Sequence, residues 1–310
     1  MKTGNIKSEN YHSWPRRKFI ATGLQVTGFT ALASLPLSSF ANEFLTPPGE
    51  YTVAQISDMI FKECGFTPTD TTVDIIKAGN RDMKVTGILT TMFPTIEIIQ
   101  KAIKLKSNLI IVHEPTFYSG NRSETSWTEN SDVINRKLQL LNDNNICIWR
   151  AHDSWHAIKP DGITNGVIKK LGWENYYHGE ETFTIPSINL KQLVKHLKLK
   201  LQIEQVRVIG DKQDVCSKVT LLPGAWGGKM QMSSVIQNKP DVLIVGEVAE
   251  WETAEYIRDA RLLGDKVSLI VLGHAVSEEP GMEWMAEWLQ PKLPGLKITH
   301  IASKNPFAWI

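Results

Sequence analysis

Three apolar runs in this chain end within a few residues of histidine. Leu109-Ile110-Ile111-Val112 leads straight into His113-Glu114-Pro115, and Ile146-Cys147-Ile148-Trp149 is followed by His152, with His156 four residues further on. Val267 to Leu272 is followed by Gly273-His274, and Glu278 comes four residues after that histidine. Imidazole and carboxylate are the ligand types that suit zinc, iron, manganese and similar ions. In open α/β sheets ligands bind just outside the carboxyl ends of the strands, so side chains that follow three strands can converge on one crevice. The set His113, Glu114, His152, His156, His274 and Glu278 therefore reads as a metal site. Any one of these histidines taken alone is more often a surface or satisfied core residue. Three strand-end groups accompanied by acids do not fit that explanation well.

Other catalytic templates are missing. The chain has no G-x-S-x-G elbow, no G-x-x-x-x-G-K-[ST] loop and no G-x-G-x-x-G fingerprint. His113-Glu114 does not continue into a zincin motif, because Phe117 stands where the second histidine belongs and Pro115 fits poorly in the helix required. The three cysteines, Cys64, Cys147 and Cys216, include no close pair, which argues against a disulfide scaffold or a cysteine-ligated zinc.

The elements that must position these residues follow from periodicity. Short β-branched runs recur at Val73 to Ile76, Val85 to Leu89, Leu109 to Val112, Ile146 to Trp149, Val206 to Ile209, Val219 to Leu222, Val242 to Val245 and Val267 to Leu272. Helical spacing separates many of them, as at Thr95 to Leu105, Asp132 to Leu141, Thr164 to Leu171, Leu190 to Leu197, Ala249 to Leu263 and Glu283 to Leu289. Strands alternating with helices predict an α/β protein with mostly parallel sheets. The polar segment 178–190, which contains Pro186, reads as a seam between two lobes. Trp155 and Trp251 read as core side chains, with an aromatic pocket as the other reading.

The 310 residues are 42% apolar and 22% charged, and 34 basic against 33 acidic side chains leave a net charge of +1. That balance excludes disorder and a dedicated nucleic-acid binder. It also hides an asymmetry. Residues 1–41 carry Lys2, Lys7, Arg16, Arg17 and Lys18 against Glu9 alone, then an uncharged stretch from Phe19 that closes on Ser39-Phe40-Ala41. This layout is that of an export signal, and Arg16-Arg17 before Lys18-Phe19-Ile20 resembles the twin-arginine type, which carries proteins already folded. The stretch is too rich in Gly, Thr and Gln for a stable transmembrane helix. The expectations are a signal over 1–41, a linker over 42–50, a metal-binding unit over 51–310 and a periplasmic location. Without the basic head the remainder is mildly acidic.

Most of residues 50 to 310 resemble the Nif-three-like proteins. Val85-Thr86-Gly87 through Lys101-Ala102-Ile103 to His113-Glu114-Pro115 is similar to the family's strand, helix and strand ending in His-His-Pro. His152 to Gly162 and Asn165 resemble its second block, a His, an Asp four residues later and a Gly-containing helix start. Asp241 to Glu247 looks like the strand before a helix, and Gly273-His274-Ala275-Val276-Ser277-Glu278 matches the C-terminal Gly-His and Ser-Glu pattern. Glu114 stands here for the second His of the first block, and His156 for the Asp of the second. The exchange keeps three histidines and two carboxylates at the five ligand positions. The resemblance implies a two-lobed fold with a dinuclear centre at strand ends, with His113, Glu114, His156, His274 and Glu278 holding two divalent ions of zinc, iron or manganese. Glu278 is then a candidate bridge, His152 a proton shuttle in catalysis, and Asp153 a reserve ligand. The activity implied is metal-dependent hydrolysis of a small molecule by a ring-shaped homo-oligomer, such as a hexamer. The alternative is an exported metal-binding or metal-handling protein without turnover, and a third reading is a relative that has lost its metal.

Overall fold

The computed structural model describes residues 50–124 and 131–310. The export signal expected over 1–41 and the linker up to residue 49 lie outside the described residues. The described chain opens with helix α1 (Val53–Glu63), started by a reciprocal cap in which Thr52 and Gln55 each bond the other's backbone N–H. Strands β1 (Ile76–Ala78) and β2 (Ile88–Thr91), helix α2 (Ile96–Leu105), β3 (Leu109–Val112), α3 (Asp132–Asp143), β4 (Cys147–Arg150), the short α4 (Asp153–Ala157) and α5 (Gly162–Leu171) follow. Next come β5 (Thr182–Asn189), α6 (Leu190–Leu201), β6 (Arg207–Ile209), β7 (Val215–Leu222), α7 (Gly227–Asn238) and β8 (Val242–Val245). A π-turn (Glu250–Ala254) runs into α8 (Glu255–Leu262), and β9 (Ser268–Val271), α9 (His274–Leu289) and β10 (Ile298–His300) complete the order.

The strands form two five-stranded sheets, in the orders β1-β4-β3-β2-β10 and β5-β7-β8-β9-β6. Parallel pairs make up the interior of each, and β1, β5 and β6 join antiparallel at edges. The fold is thus mixed α/β. The interior strands β3, β8 and β9 are buried at every position, as their unbroken apolar runs require of a sheet covered on both faces. Along β3, Leu109 and Ile111 face a core that includes Ile56, Ile60 and Met285, while Ile110 and Val112 face Ile98, Ile99 and Leu141 on the other side. Helix α9 starts directly after β9 of the second sheet yet packs on α5 and on β2 of the first. The Thr90 hydroxyl donates to its Met282 carbonyl at 2.8 Å.

Some elements differ from the expectation. The run Val73 to Ile76 is not a strand until Ile76, because Asp74 leaves the sheet to cap another segment. The polar segment around 178–190 is largely strand β5, whose Pro186 lies in a register shift against β7 at a sheet edge, where a missing N–H is tolerated. Helix α7 went unpredicted because Gly227-Gly228 and a polar composition hide its period. Trp155 is fully buried, but Trp251 is 79% exposed and has no core role.

Candidate metal centre

Each histidine group sits where a parallel strand ends. His113 follows β3 and is fully buried, and its Nδ1 faces the Ala151 carbonyl at 3.3 Å. A carbonyl can only accept, so Nδ1 carries the proton and Nε2 keeps its lone pair. Glu114, the next residue, meets Arg150 from the end of β4. The buried guanidinium holds Glu114 Oε2 at 3.3 Å, Glu124 Oε1 at 3.4 Å and the His113 carbonyl at 3.0 Å. Glu124 is held in turn by Lys77 at 2.9 Å and by the backbone N–H groups of Thr116 and Phe117. Arg150 thereby draws one oxygen of Glu114 outwards and leaves Oε1 facing the histidines.

After β4 the chain enters α4 under the control of Asp74. Its carboxylate accepts the backbone N–H groups of His152, Asp153 and Ser154 at 2.8, 2.7 and 2.8 Å, which fixes the first turn of a helix only five residues long. His152 Nδ1 pairs with Asp153 Oδ1 at 3.0 Å, and Asp153 is itself fixed by Thr72 and the Val73 N–H. These bonds hold the Asp153 carboxyl well below the usual range. His156 Nδ1 pairs with Asp161 Oδ2 at 2.7 Å, and the other oxygen of Asp161 caps α5 through the Thr164 N–H. The rings of His113, His152 and His156 gather with centroids 4.5, 5.0 and 4.9 Å apart.

From the second sheet, Gly273 turns β9 into α9 with φ at 105°, a value that favours glycine. His274 then places Nδ1 at 3.1 Å from Glu247 Oε2, while Nε2 lies 3.0 Å from Glu278 Oε2 and 3.3 Å from Glu114 Oε1. Glu278 stands one helical turn after His274, on the same face. Its carboxylate lies against Gly224, where a Cβ would come within 2.1 Å of Oε1.

These donors fit a cation. The four histidines share one pattern: Nδ1 bonded to a carbonyl or carboxylate behind the ring, Nε2 turned inwards. Such outer partners set tautomer and orientation in metal-ligating histidines. Ligand atoms of His113, His152 and His156 lie within 4.8 Å of one another, as do those of His113, Glu114 and Glu278. His113 Nε2, His274 Nε2 and Glu278 Oε2 are buried without an aligned hydrogen bond, and facing lone pairs are costly unless something positive sits among them. The charges respond accordingly. Burial and the neighbouring imidazoles push His113 well below its ordinary value and keep it neutral. For His274, burial opposes the charged form, but the carboxylates of Glu114, Glu247 and Glu278 outweigh it and raise the group to about 12. A proton there supplies the positive charge that the surrounding oxygens require.

The structure brings all six sequence-selected side chains together. Sequence reasoning missed the partners behind them: Asp74, Asp161, Arg150 and Glu124. Glu247 figured only as part of a strand-end block, although it follows the apolar strand β8 just as His113 follows β3.

Comparison with known proteins matches residues 73–306 to the family model described as Duf34/NIF3 (NGG1p interacting factor 3). A protein of Clostridium perfringens named GTP cyclohydrolase 1 type 2 homolog is 22% identical over 250 residues, covering 76% of this chain and 90% of the relative. A Clostridium acetobutylicum protein of the same name is 23% identical over 245 residues, with 74% and 87% covered. Among solved structures, a Staphylococcus aureus hypothetical protein aligns with a TM-score of 0.66 at 18% identity over 84% of this chain and 99% of that one. A Bacillus cereus protein related to NIF3 aligns at 0.65 and 14% identity, with the same 84% and 99% covered. At such identities the structural likeness concerns the fold.

Proposed function

The chain belongs to the Duf34/NIF3 family, and on that footing we propose that it is a metal-dependent hydrolase of a small molecule, built around a centre for two divalent ions. The observation that carries the reading is the common pattern of His113, His152, His156 and His274, each anchored at Nδ1, beside the oxygens of Glu114 and Glu278 that lie 3.3 and 3.0 Å from His274 Nε2. When bound, the ions supply Lewis acidity and activate water for attack. The protein's own part is to hold the donors in place. Ala151, Asp153, Asp161 and Glu247 select the tautomer of each ring, and Arg150 restricts Glu114 to one inward oxygen. His152 is read with the ligands here, because its Nδ1 is bonded to Asp153 as those of the other three are to their partners; the same bond would also orient Nε2 for the proton shuttling expected from the sequence. The two sheets are taken as the two lobes of the fold.

The substrate in the relatives' name stays with them, because an exported protein meets little GTP. The basic head with Arg16-Arg17 and the Ser39-Phe40-Ala41 end support delivery to the periplasm, which cell fractionation tests. A homo-oligomer is the family-based expectation, tested by light scattering against the 34.9 kDa of one chain.

Protein folded in the cytoplasm should contain transition metal by mass spectrometry and hydrolyse at least one member of a panel of phosphoesters, cyclic amides and nucleotides. His274→Ala should lower that turnover by more than about 100-fold, because even outer partners of metal ligands are worth 10- to 100-fold. Protein without metal overturns the proposal. Metal without turnover selects the binding or metal-handling reading instead.

A further inference from the structure

We propose that the centre has two chemically different corners: an all-imidazole corner of His113, His152 and His156 that selects a borderline ion such as Zn2+, and a carboxylate corner of Glu114, Glu278 and His274 that accepts a harder ion such as Mn2+. The inference rests on the metal-centre reading above and assigns each corner its ion. It begins with His113, whose ligand atom lies within 4.8 Å of those of both groups. An imidazole nitrogen has one lone pair and serves one ion, and His113 Nδ1 is already spent on the Ala151 carbonyl. The carboxylates have a nitrogen donor of their own in His274, at 3.0 and 3.3 Å. His113 therefore completes the corner of His152 and His156, whose rings it touches.

The outcome is three neutral nitrogens on one side and two charged oxygens with one nitrogen on the other. Glu114 contributes a single oxygen, because Arg150 retains the second. Glu278, whose carboxylate has no such clamp, is the side chain with atoms for both ions. Nitrogen-rich sites favour zinc over manganese more strongly than oxygen-rich ones, and charged oxygens suit harder ions. Since Zn2+ outcompetes Mn2+ in any such site, the difference between corners shows only when zinc is limiting. The asymmetry stems from the residues at 114 and 156: a histidine at the first and a carboxylate at the second would give each corner a mixed set.

The test uses the full chain stripped by chelator, then given one equivalent of Zn2+ with excess Mn2+. The expected product holds one zinc and one manganese per chain, with an isolated Mn2+ electron paramagnetic resonance signal. Mn2+ alone should give the exchange-coupled signal of a pair. The first equivalent of Zn2+ should bind at least about tenfold more tightly than the second. Asp161→Ala, which removes the partner of His156, should weaken the first zinc about 10- to 100-fold and leave the Mn2+ signal intact. Because Asp161 also caps α5, His156→Asp is the second variant, and it should bring the two zinc affinities together. Two equal zinc affinities in the parent protein, a statistical mixture of ions, or unchanged zinc preference in both variants overturns the two-corner proposal. Failure to bind either ion overturns the metal-centre reading beneath it.

Discussion

Arg150 shows how much of this centre depends on residues that never face it. The side chain ends an interior strand, is 4% exposed, and contacts two carboxylates whose own side chains are 12% and 0% exposed. Breaking a buried pair by removing one partner leaves an uncompensated charge and costs about 3–5 kcal/mol. Arg150→Met should lose stability of that size in urea unfolding, and Lys at the same position should recover only part of it, since a single ammonium cannot span both acids. The six inward residues were legible because each follows an unbroken apolar run or stands four positions from one that does. Asp74, Asp161, Arg150 and Glu124 carry no such mark. An isolated acid or base in sequence looks the same whether it faces solvent or closes a bond 5 to 80 residues away.

At the scale of elements, the weak member is α4. It has five residues, fewer than a helix sustains unaided, yet it carries His156 and is entered through His152. The Asp74 carboxylate provides three acceptor contacts at its start, and hydrogen bonds to charged groups are worth about 1.5–3 kcal/mol each. Asp74→Ala should therefore lower stability by at least about 2 kcal/mol in denaturant unfolding and weaken metal binding, whereas Asp74→Asn, which retains the acceptor oxygen, should recover part of both. Periodicity revealed the long helices and the interior strands, whose burial leaves a plain apolar record. It did not reveal α4, which is too short to show a period, or β5, whose exposed face and Pro186 resemble a linker. The α/β class was thus readable, while the edges and short connectors, settled by tertiary pairing, were not.

In the whole molecule, the candidate centre lies where the carboxyl ends of β3 and β4 in one sheet meet those of β8 and β9 in the other. A cation there would bridge the sheets, and without one the proton on His274 lies among carboxylates from both. Because the folded group is raised to about 12 from an ordinary 6.5, its contribution is complete below pH 6.5 and declines as pH rises towards 12. Metal-free protein should therefore lose stability between about pH 7 and 10. Metal-loaded protein should lose less, since the ion displaces that proton and binds better as pH rises. The gap in melting temperature between loaded and chelated protein should widen with pH, as calorimetry can measure; a gap that narrows contradicts this account.

Strand β10 has a consequence in time. Ile298–His300 pairs beside Ile88–Thr90, so the first sheet receives its fifth strand from residues made long after the strand they join. His274 and Glu278 also emerge late, long after His113 and Glu114. A nascent chain consequently exposes the edge of β2 and an incomplete ligand set until the segment from His274 to His300 has emerged. A centre that draws on His113 and on Glu278 would take up ions only once both have been made, an order of events suited to a protein whose first residues resemble a signal for carrying folded cargo.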